Sequence, residues 1–127
     1  MALLASMLMP LLMLFHLVGP VPADLGLHQG ELSPCPGPAH CAQARWSTED
    51  PQQGWAAAEA KVRAMPRTTI VSQTEDYLHA EVSSALFGFV DDLELHAIEG
   101  GIEACSISRL GDSDLGVNAR RLEDLRS

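Results

Sequence analysis

Basic residues are scarce in this sequence, and their scarcity makes negatively charged binding partners unfavourable. Eight Lys and Arg stand against 17 Asp and Glu in 127 residues, and the formal net charge at pH 7 is −9. No run of basic residues interrupts this acidic background. Such a surface repels a phosphate backbone and an anionic membrane. The composition therefore argues against nucleic-acid binding and against adsorption to anionic lipid.

The chain also lacks the length for a second domain. Roughly 100 residues remain once the amino-terminal segment is set aside. This length suffices for one two-layer domain with a modest core. It is too short for a large buried active-site cavity.

The amino-terminal apolar run lacks a preceding Lys or Arg and is too short to cross a bilayer. It extends from Leu3 to Val18, whereas a membrane-spanning helix needs about 20 residues. Val21-Pro22-Ala23, before Asp24, fits the small-residue pattern of a cleavage site. We therefore predict a cleaved export signal at residues 1–23. The alternative is an uncleaved membrane anchor formed by residues 3–18.

Cysteine is rare, and two of the three cysteines enclose a short proline-rich loop. Cys35 and Cys41 flank the sequence PGPAH, in which their side chains could meet at disulfide distance. An oxidising compartment would preserve that bond. A zinc site would need more ligands close by, but only His40 is near, and Cys105 is distant and alone in the sequence. The spacing favours a disulfide over a metal site.

The predicted order of elements is an irregular segment, a helix, four strands and a helix. Residues 24–47 are rich in Pro and Gly and predict an irregular lead-in pinned by the cysteine loop. A helix follows, capped by Ser47 or Asp50, with Pro51 in its first turn and Pro66 ending it. Period-two patterns then predict four strands, at 68–74, 77–84, 87–96 and 102–109.

A second helix is predicted from about Leu115 to Arg126, with Ser113 or Asp114 as its cap. The fold class is therefore α+β, with a helix, a four-stranded antiparallel meander and a helix in two layers. A single domain is expected over residues 48–127.

Two adjacent aspartates, Asp91 and Asp92, lie in the third predicted strand. Successive side chains of a strand point to opposite faces, so Asp91 shares the inward face with Leu93. A buried carboxylate needs a cationic partner, and Arg109 returns beside it from the next strand. A three-residue hairpin loop at 99–101 places Arg109 opposite Asp91, whereas a two-residue loop places it opposite Asp92. We predict the first arrangement, with Asp91 and Arg109 as a structural ion pair.

Four stretches in a fixed order, CPGPAHC, YLHAEVSS, FGFVDDLE and SRLGDSDLGVNARRLEDLR, resemble one family. It is the bacterial and plastid family known as domain of unknown function 1499. The resemblance covers roughly residues 35–126. It implies this fold and a small exported protein of the periplasm or thylakoid lumen, but it implies no reaction or ligand.

The family pattern maps onto residues spread over this range: Cys35, Cys41, Pro66, Arg67, Glu81, Phe87, Asp91, Asp92, Glu94, Ser108, Arg109, Gly111, Ser113, Asp114, Gly116, Asn118 and Arg121. The chain also departs from the pattern. Ala85 and Cys105 stand where relatives often carry Arg. The departures leave Arg109 and Arg121 as the main cations near the acidic strand, which weakens any anion-binding role.

Nucleophile and metal motifs are absent, but two polar groups could still bind a ligand. No H-x-H, H-E-x-x-H or G-x-S-x-G pattern occurs. One group lies on the predicted outer face, where imidazoles and carboxylates could hold a divalent metal or act as acid and base: His79, Glu81, Asp92, Glu94 and His96. A solvated polar face is the favoured interpretation. No cofactor or metal is predicted.

The second group lies where the last helix begins. Ser113, Asp114 and Asn118 precede or open that helix, whose free N–H groups could hold an anion. Simple capping is favoured, because Asp112 and Asp114 would repel an anion. The possible binding residues are thus Glu81, Asp92, Glu94, Ser113, Asp114, Asn118 and Arg121.

The sequence favours a non-catalytic exported module that binds an unidentified protein partner or supports an envelope or lumenal assembly. A small hydrolase or metal-dependent enzyme is the alternative. A concave pocket joining His79, Glu81 and His96 would indicate the enzyme, and a flat face would indicate the module. Membrane association is expected only if the amino-terminal segment stays uncleaved.

Overall fold

A five-stranded antiparallel sheet with two helices packed on one face organises the chain. The computed structural model describes residues 18–85, 88–111 and 113–127. Its strands are β1 (Leu27–His28), β2 (Glu31–Leu32), β3 (Cys41–Ser47), β4 (Thr68–Gln73), β5 (Tyr77–Ser83), β6 (Val90–Ile98) and β7 (Gly101–Ser108). Its helices are α1 (Pro51–Ala64) and α2 (Val117–Arg126). The main sheet has the order β3-β7-β6-β5-β4, and β1 and β2 form a separate small hairpin.

Helix α1 carries the chain from one edge of the sheet to the other. The alternating antiparallel pairings make the edge strands β3 and β4 run in the same direction, and a parallel connection needs a crossover element. Asp50 caps the helix by accepting a hydrogen bond from the Gln53 N–H at 3.1 Å, and Pro51 follows it. Ala58 and Val62 are its buried residues.

The main core lies between the helices and the sheet. Its buried members come from both helices and from β5, β6 and β7, and they include Val62, Leu78, Leu93, Leu95, Ile102 and Leu122. The sheet strands alternate as predicted, so the even positions of β5 and β7 and the odd positions of β6 face the helices. The predicted α+β class and the two helices are confirmed.

The sheet has five strands, and the prediction of four was wrong. Residues 41–47 form β3, although they were assigned to the irregular lead-in. The strand pairs along its whole length with β7, from Cys41 opposite Ile107 to Ser47 opposite Gly101. Its sequence, CAQARWS, places two alanines and Trp46 against the core. Alanine gives a weak strand signal, so the backbone pairing could not be recognised from the pattern.

The hairpin between β6 and β7 has a two-residue loop, so the expected three-residue loop was wrong. Ile98 pairs with Gly101, which leaves Glu99 and Gly100 in the turn. Gly100 has a φ of 76°, a conformation that costs a glycine little. At Gly101, a Cβ atom would lie 2.1 Å from the backbone oxygen of Trp46. The close approach of β3 therefore requires glycine there.

The face of the sheet opposite the helices, called the outer face here, carries Tyr77, His79, Glu81, Asp92, Glu94, His96, Glu103, Cys105 and Arg109. Part of the lead-in packs over it: Leu32 joins Cys41, Tyr77 and Cys105 in a second buried cluster. Most of the predicted export signal, residues 1–17, lies outside the described residues. Within the described parts of the chain, no helix is long and apolar enough to cross a membrane.

Candidate functional site

The candidate site is the polar network of the outer face, which is buried rather than solvated. His79 and His96 are each 7% exposed, and Asp92 is fully buried. The prediction of a solvated face was wrong because the lead-in covers this surface. Its backbone N–H groups reach the sheet, since Gly26 donates to Glu94 at 2.7 Å and Leu32 donates to Glu103 at 3.3 Å.

Arg109 is the centre of the first group of charges. Its Nε donates to Asp92 Oδ2 at 2.8 Å, and its Nη2 donates to Asp92 Oδ1 and to Glu81 Oε2, each at 2.9 Å. His79 Nε2 lies 2.7 Å from Asp92 Oδ1. The predicted pairing of Arg109 with Asp91 was therefore wrong. In the two-residue hairpin, Asp92 lies opposite Ile107, and Arg109, two residues further along the same face, reaches it diagonally.

The contacts of Asp92 keep this group ionised. Burial alone would raise the pKa of the Asp92 carboxyl. The hydrogen bonds from Arg109 and His79 together outweigh this effect, so the pKa lies below its ordinary value. The hydrogen bond to Asp92 raises the pKa of Arg109. A bidentate guanidinium–carboxylate pair of this kind is strong and directional. Its charge is therefore cancelled within the protein.

A second group joins His96, Glu103 and Arg45. His96 Nδ1 lies 2.8 Å from Glu103 Oε1, and Arg45 Nη2 lies 2.9 Å from Glu103 Oε2. Burial raises the pKa of Glu103, but the bonds from His96 and from the Leu32 N–H lower it below its ordinary value. The two histidines of the outer face thus bond different carboxylates and do not form one site.

Tyr77 and Glu94 form a third contact. The Tyr77 hydroxyl donates to Glu94 Oε2 at 2.5 Å. Burial, and then this hydrogen bond, raise the pKa of Tyr77. Glu94, proposed from the sequence as a binding residue, is thus bonded within the fold.

On the helix side, Asp91 pairs with Arg121 of α2. Arg121 Nη1 lies 2.9 Å from Asp91 Oδ2 and also donates to Ser106 Oγ at 2.9 Å. Asp91 does share the face of Leu93 and Leu95, as predicted, but its partner comes from the last helix rather than from the neighbouring strand. The helix position could not be inferred from strand register.

Asn118 joins the start of α2 to the sheet and is fully buried. Its Oδ1 accepts from Ser106 Oγ at 2.7 Å. Its Nδ2 lies 2.9 Å from Ser108 Oγ, 2.8 Å from Asp114 Oδ2 and 3.2 Å from the His40 carbonyl oxygen. The amide is fully used by the protein, which leaves it no free group for a ligand.

The loop before α2 is held by turns rather than by a helix cap. Ser113 Oγ accepts from the Leu115 N–H at 3.3 Å, and Asp114 Oδ1 accepts from the Gly116 N–H at 2.7 Å. The helix begins at Val117 after Gly116, which has no side-chain cap. The helix thus starts two residues after the expected Leu115, and the prediction of Ser113 or Asp114 as its cap was wrong. Asp112, invoked above as a repelling charge, lies outside the described residues.

The predicted disulfide between Cys35 and Cys41 is confirmed, with an S–S length of 2.00 Å. Cys105, distant in sequence, lies beside it: its Sγ is 3.8 Å from Cys41 Sγ. This proximity was missed. It follows from the pairing of β3 with β7, where Gln43 faces Cys105, so recognising β3 was the signal needed to find it.

The clefts of the described surface do not unite the proposed enzyme residues. One cleft of about 480 Å³ lies between β2 and β3, with Glu103 in its wall. Another of about 350 Å³ lies beside α2, with Arg121 in its wall. Neither is lined by His79, Glu81 or His96. The geometry supplies paired charges, not an open acid–base site.

Comparison with known proteins identifies the family of this chain. No curated protein and no solved structure matches it significantly. The family model described as "Protein of unknown function (DUF1499)" matches residues 28–127. This range includes both helices, the whole five-stranded sheet and every paired charge described above. The chain therefore belongs to the DUF1499 family of proteins of unknown function.

Proposed function

We propose that this protein is a small exported module without catalytic activity, acting in the periplasm or the thylakoid lumen through contact with another protein. The observation that carries the proposal is the internal pairing of the outer-face charges. Asp92 and Glu81 bond Arg109, while Glu103 bonds His96 and Arg45. These residues hold the sheet together instead of facing a substrate.

The state of the histidines supports the non-catalytic interpretation. A general acid or base must come within hydrogen-bonding reach of the proton that it transfers. His79 and His96 are each only 7% exposed, and each already bonds a carboxylate. The contacts of both imidazoles are therefore those of residues that stabilise the fold.

The surface charge points to the chemistry of the partner. Several of the few basic residues are used in ion pairs with the protein's own carboxylates, including Arg45, Arg63, Arg109 and Arg121. The net charge is −9, so the field outside the protein is negative. Such a field favours association with a cationic protein surface.

Compartment and processing can be tested with the full chain carrying a carboxy-terminal epitope tag. We expect the tagged protein in the exported fraction of a bacterial host, with Asp24 as its new amino terminus. A matched Ala23→Leu variant should retain the longer precursor, because a bulky residue blocks a small-residue cleavage site. Tagged protein that stays in the cytosol at full length would contradict the export proposal.

The absence of catalysis can be tested separately on the purified exported protein. We expect no hydrolysis of chromogenic esters, phosphate esters or peptides above the level of a His79→Gln variant. Crosslinking in the exported compartment should instead capture a basic protein, and the capture should weaken at high salt. Turnover that is lost in a folded His79→Gln variant would support the enzyme instead.

A further inference from the structure

Three sulfur atoms meet on the outer face, although only two of them are bonded. Cys35 and Cys41 form the disulfide, and Cys105 Sγ lies 3.8 Å from Cys41 Sγ. All three Sγ atoms lie within 4.8 Å of one another. Cys41 and Cys105 are each 5% exposed, while Cys35 is half-buried. The cluster is therefore largely shielded from solvent but remains open on the side of Cys35.

A small cavity adjoins two of the three cysteines, and two acidic residues also line it. It measures about 10 Å³, and its lining includes Cys41, Cys105, Asp24 and Glu94. A volume of this size holds about one water-sized particle. Asp24 and Glu94 give this lining two acidic side chains, and a cation in the cavity would balance their charge.

We propose that, once the disulfide is reduced, Cys35, Cys41 and Cys105 bind a single zinc ion, with a water oxygen in the fourth position. Zinc binds thiolates at about 2.3 Å in a tetrahedral arrangement, which separates neighbouring sulfurs by about 3.8 Å. The Cys41 and Cys105 sulfurs already have a separation of 3.8 Å. A mixed sulfur and oxygen set suits zinc better than Cu(I), which prefers sulfur alone.

Cys35 and Cys41 can bind zinc only when the disulfide between them is reduced. In the oxidised protein, Cys35 and Cys41 sulfurs are bonded to each other and offer no thiolate. A phosphine reductant supplies two electrons, which break the S–S bond; the phosphine becomes the phosphine oxide, with its oxygen from water, and the two sulfurs become thiols. Zinc then replaces the protons of the three thiols, and these protons pass to the buffer. The site is therefore present only in the reduced protein.

The test measures metal binding by the full chain before and after reduction with a phosphine. We expect one zinc ion per reduced chain, detected by competition with a chromophoric chelator, and no zinc bound to the oxidised chain. Cobalt(II) in place of zinc should give the absorption of a tetrahedral site with thiolate ligands. Cys105→Ala should weaken zinc binding by about tenfold or more, since it removes one of three thiolates.

His40→Asn is the matched control, because His40 is the other potential ligand close to the two paired cysteines in sequence. Its Nδ1 lies 3.1 Å from the Ser108 carbonyl oxygen, and we expect the variant to bind zinc like the wild type. Circular dichroism identifies folded variants, and Cys105→Ser replaces Cys105→Ala if the latter unfolds. Equal zinc affinity in the wild type and a folded Cys105 variant, or equal binding by the oxidised chain, would overturn the proposal.

Discussion

Arg109 holds Asp92 with two parallel hydrogen bonds, from Nε to Oδ2 at 2.8 Å and from Nη2 to Oδ1 at 2.9 Å, in a part of the sheet where both side chains are almost completely buried. Removing either partner leaves a buried charge without its counterion. Such a loss typically costs about 3–5 kcal/mol, far more than breaking an exposed pair.

We therefore expect Arg109→Ala and Asp92→Ala each to lower the free energy of unfolding by about 3–5 kcal/mol. The double variant should lose less than the sum of the two, because the second change removes the charge stranded by the first. Asp91→Ala should cost less than Asp92→Ala, since the Asp91 pair is more exposed. Urea denaturation of the four variants and the wild type checks this. Additive losses would show that the pair is not coupled.

Asn118 is expected to matter more than its small size indicates. Asn118→Ala leaves Ser106, Ser108 and Asp114 without the amide that they contact, and we expect a loss of about 3 kcal/mol in the free energy of unfolding. Arg120→Ala, on the same helix with an exposed side chain, is the control and should change stability by less than about 0.5 kcal/mol. Equal effects in thermal denaturation would mean that Asn118 does not anchor the helix.

Replacing either of two adjacent glycines, Gly100 and Gly101, with alanine should destabilise the protein, but for different reasons. At Gly100, nothing lies within 4 Å of an added Cβ, but the positive φ makes alanine costly by about 1 kcal/mol. At Gly101, the Cβ would collide with the Trp46 backbone, so β3 must move and the cost should be about 3 kcal/mol or more. Chemical denaturation measures both. A Gly101→Ala variant as stable as Gly100→Ala would contradict the close approach of β3.

Acid should destabilise the protein through Asp92 and Glu103. Their pKa values in the folded protein lie below the ordinary values of 3.8 and 4.5, so at low pH the unfolded chain binds more protons than the folded one. The stabilisation is fully present above the ordinary values and is lost as pH falls through the lowered ones. Urea denaturation from about pH 6 to about pH 2 should show this loss. Glu103→Gln should make the loss less steep, and an unchanged slope would count against the assignment.

The disulfide closes a short loop, with a sequence separation of 6, and its loss should be tolerated. Reduction should lower the free energy of unfolding by about 2 kcal/mol, as expected for a loop of this length. Far-ultraviolet circular dichroism should retain the sheet signal after reduction. Mass spectrometry after non-reducing alkylation should find Cys35 and Cys41 bridged and Cys105 free. Loss of the sheet on reduction would show that the lead-in is essential to the fold.

Much of the architecture could be predicted because it depends on local patterns. Alternation identified β5, β6 and β7, and Asp50 with Pro51 marked the start of α1. The disulfide was predictable from its enclosed prolines and glycine. Strand β3 was missed because its alanines carry little hydrophobic signal, and the pairing that defines it joins residues far apart in sequence.

The site was harder to predict because the ion-pair partner of each aspartate depends on contacts between residues far apart in the sequence. Alternation placed Asp91 and Asp92 on opposite faces correctly. The hairpin loop is one residue shorter than expected, and Arg109 pairs with Asp92. Helix α2 lies where its Arg121 pairs with Asp91. The lead-in packs on the outer face near Glu94 and Glu103 but has no periodic pattern, so the burial of this part of the sheet could not be predicted.

The pairing of β3 with β7 also constrains how the chain folds. Cys41 pairs with Ile107, which lies far along the chain. The sheet is therefore complete only when nearly the whole chain is present. Contacts so distant in sequence slow folding, because a long loop must be ordered before they form. We therefore expect the β5–β6–β7 meander to assemble first, with β3 adding last to its β7 edge. A chain that completes its sheet this late leaves one edge of β7 unpaired while it folds, and such an edge can pair with another chain.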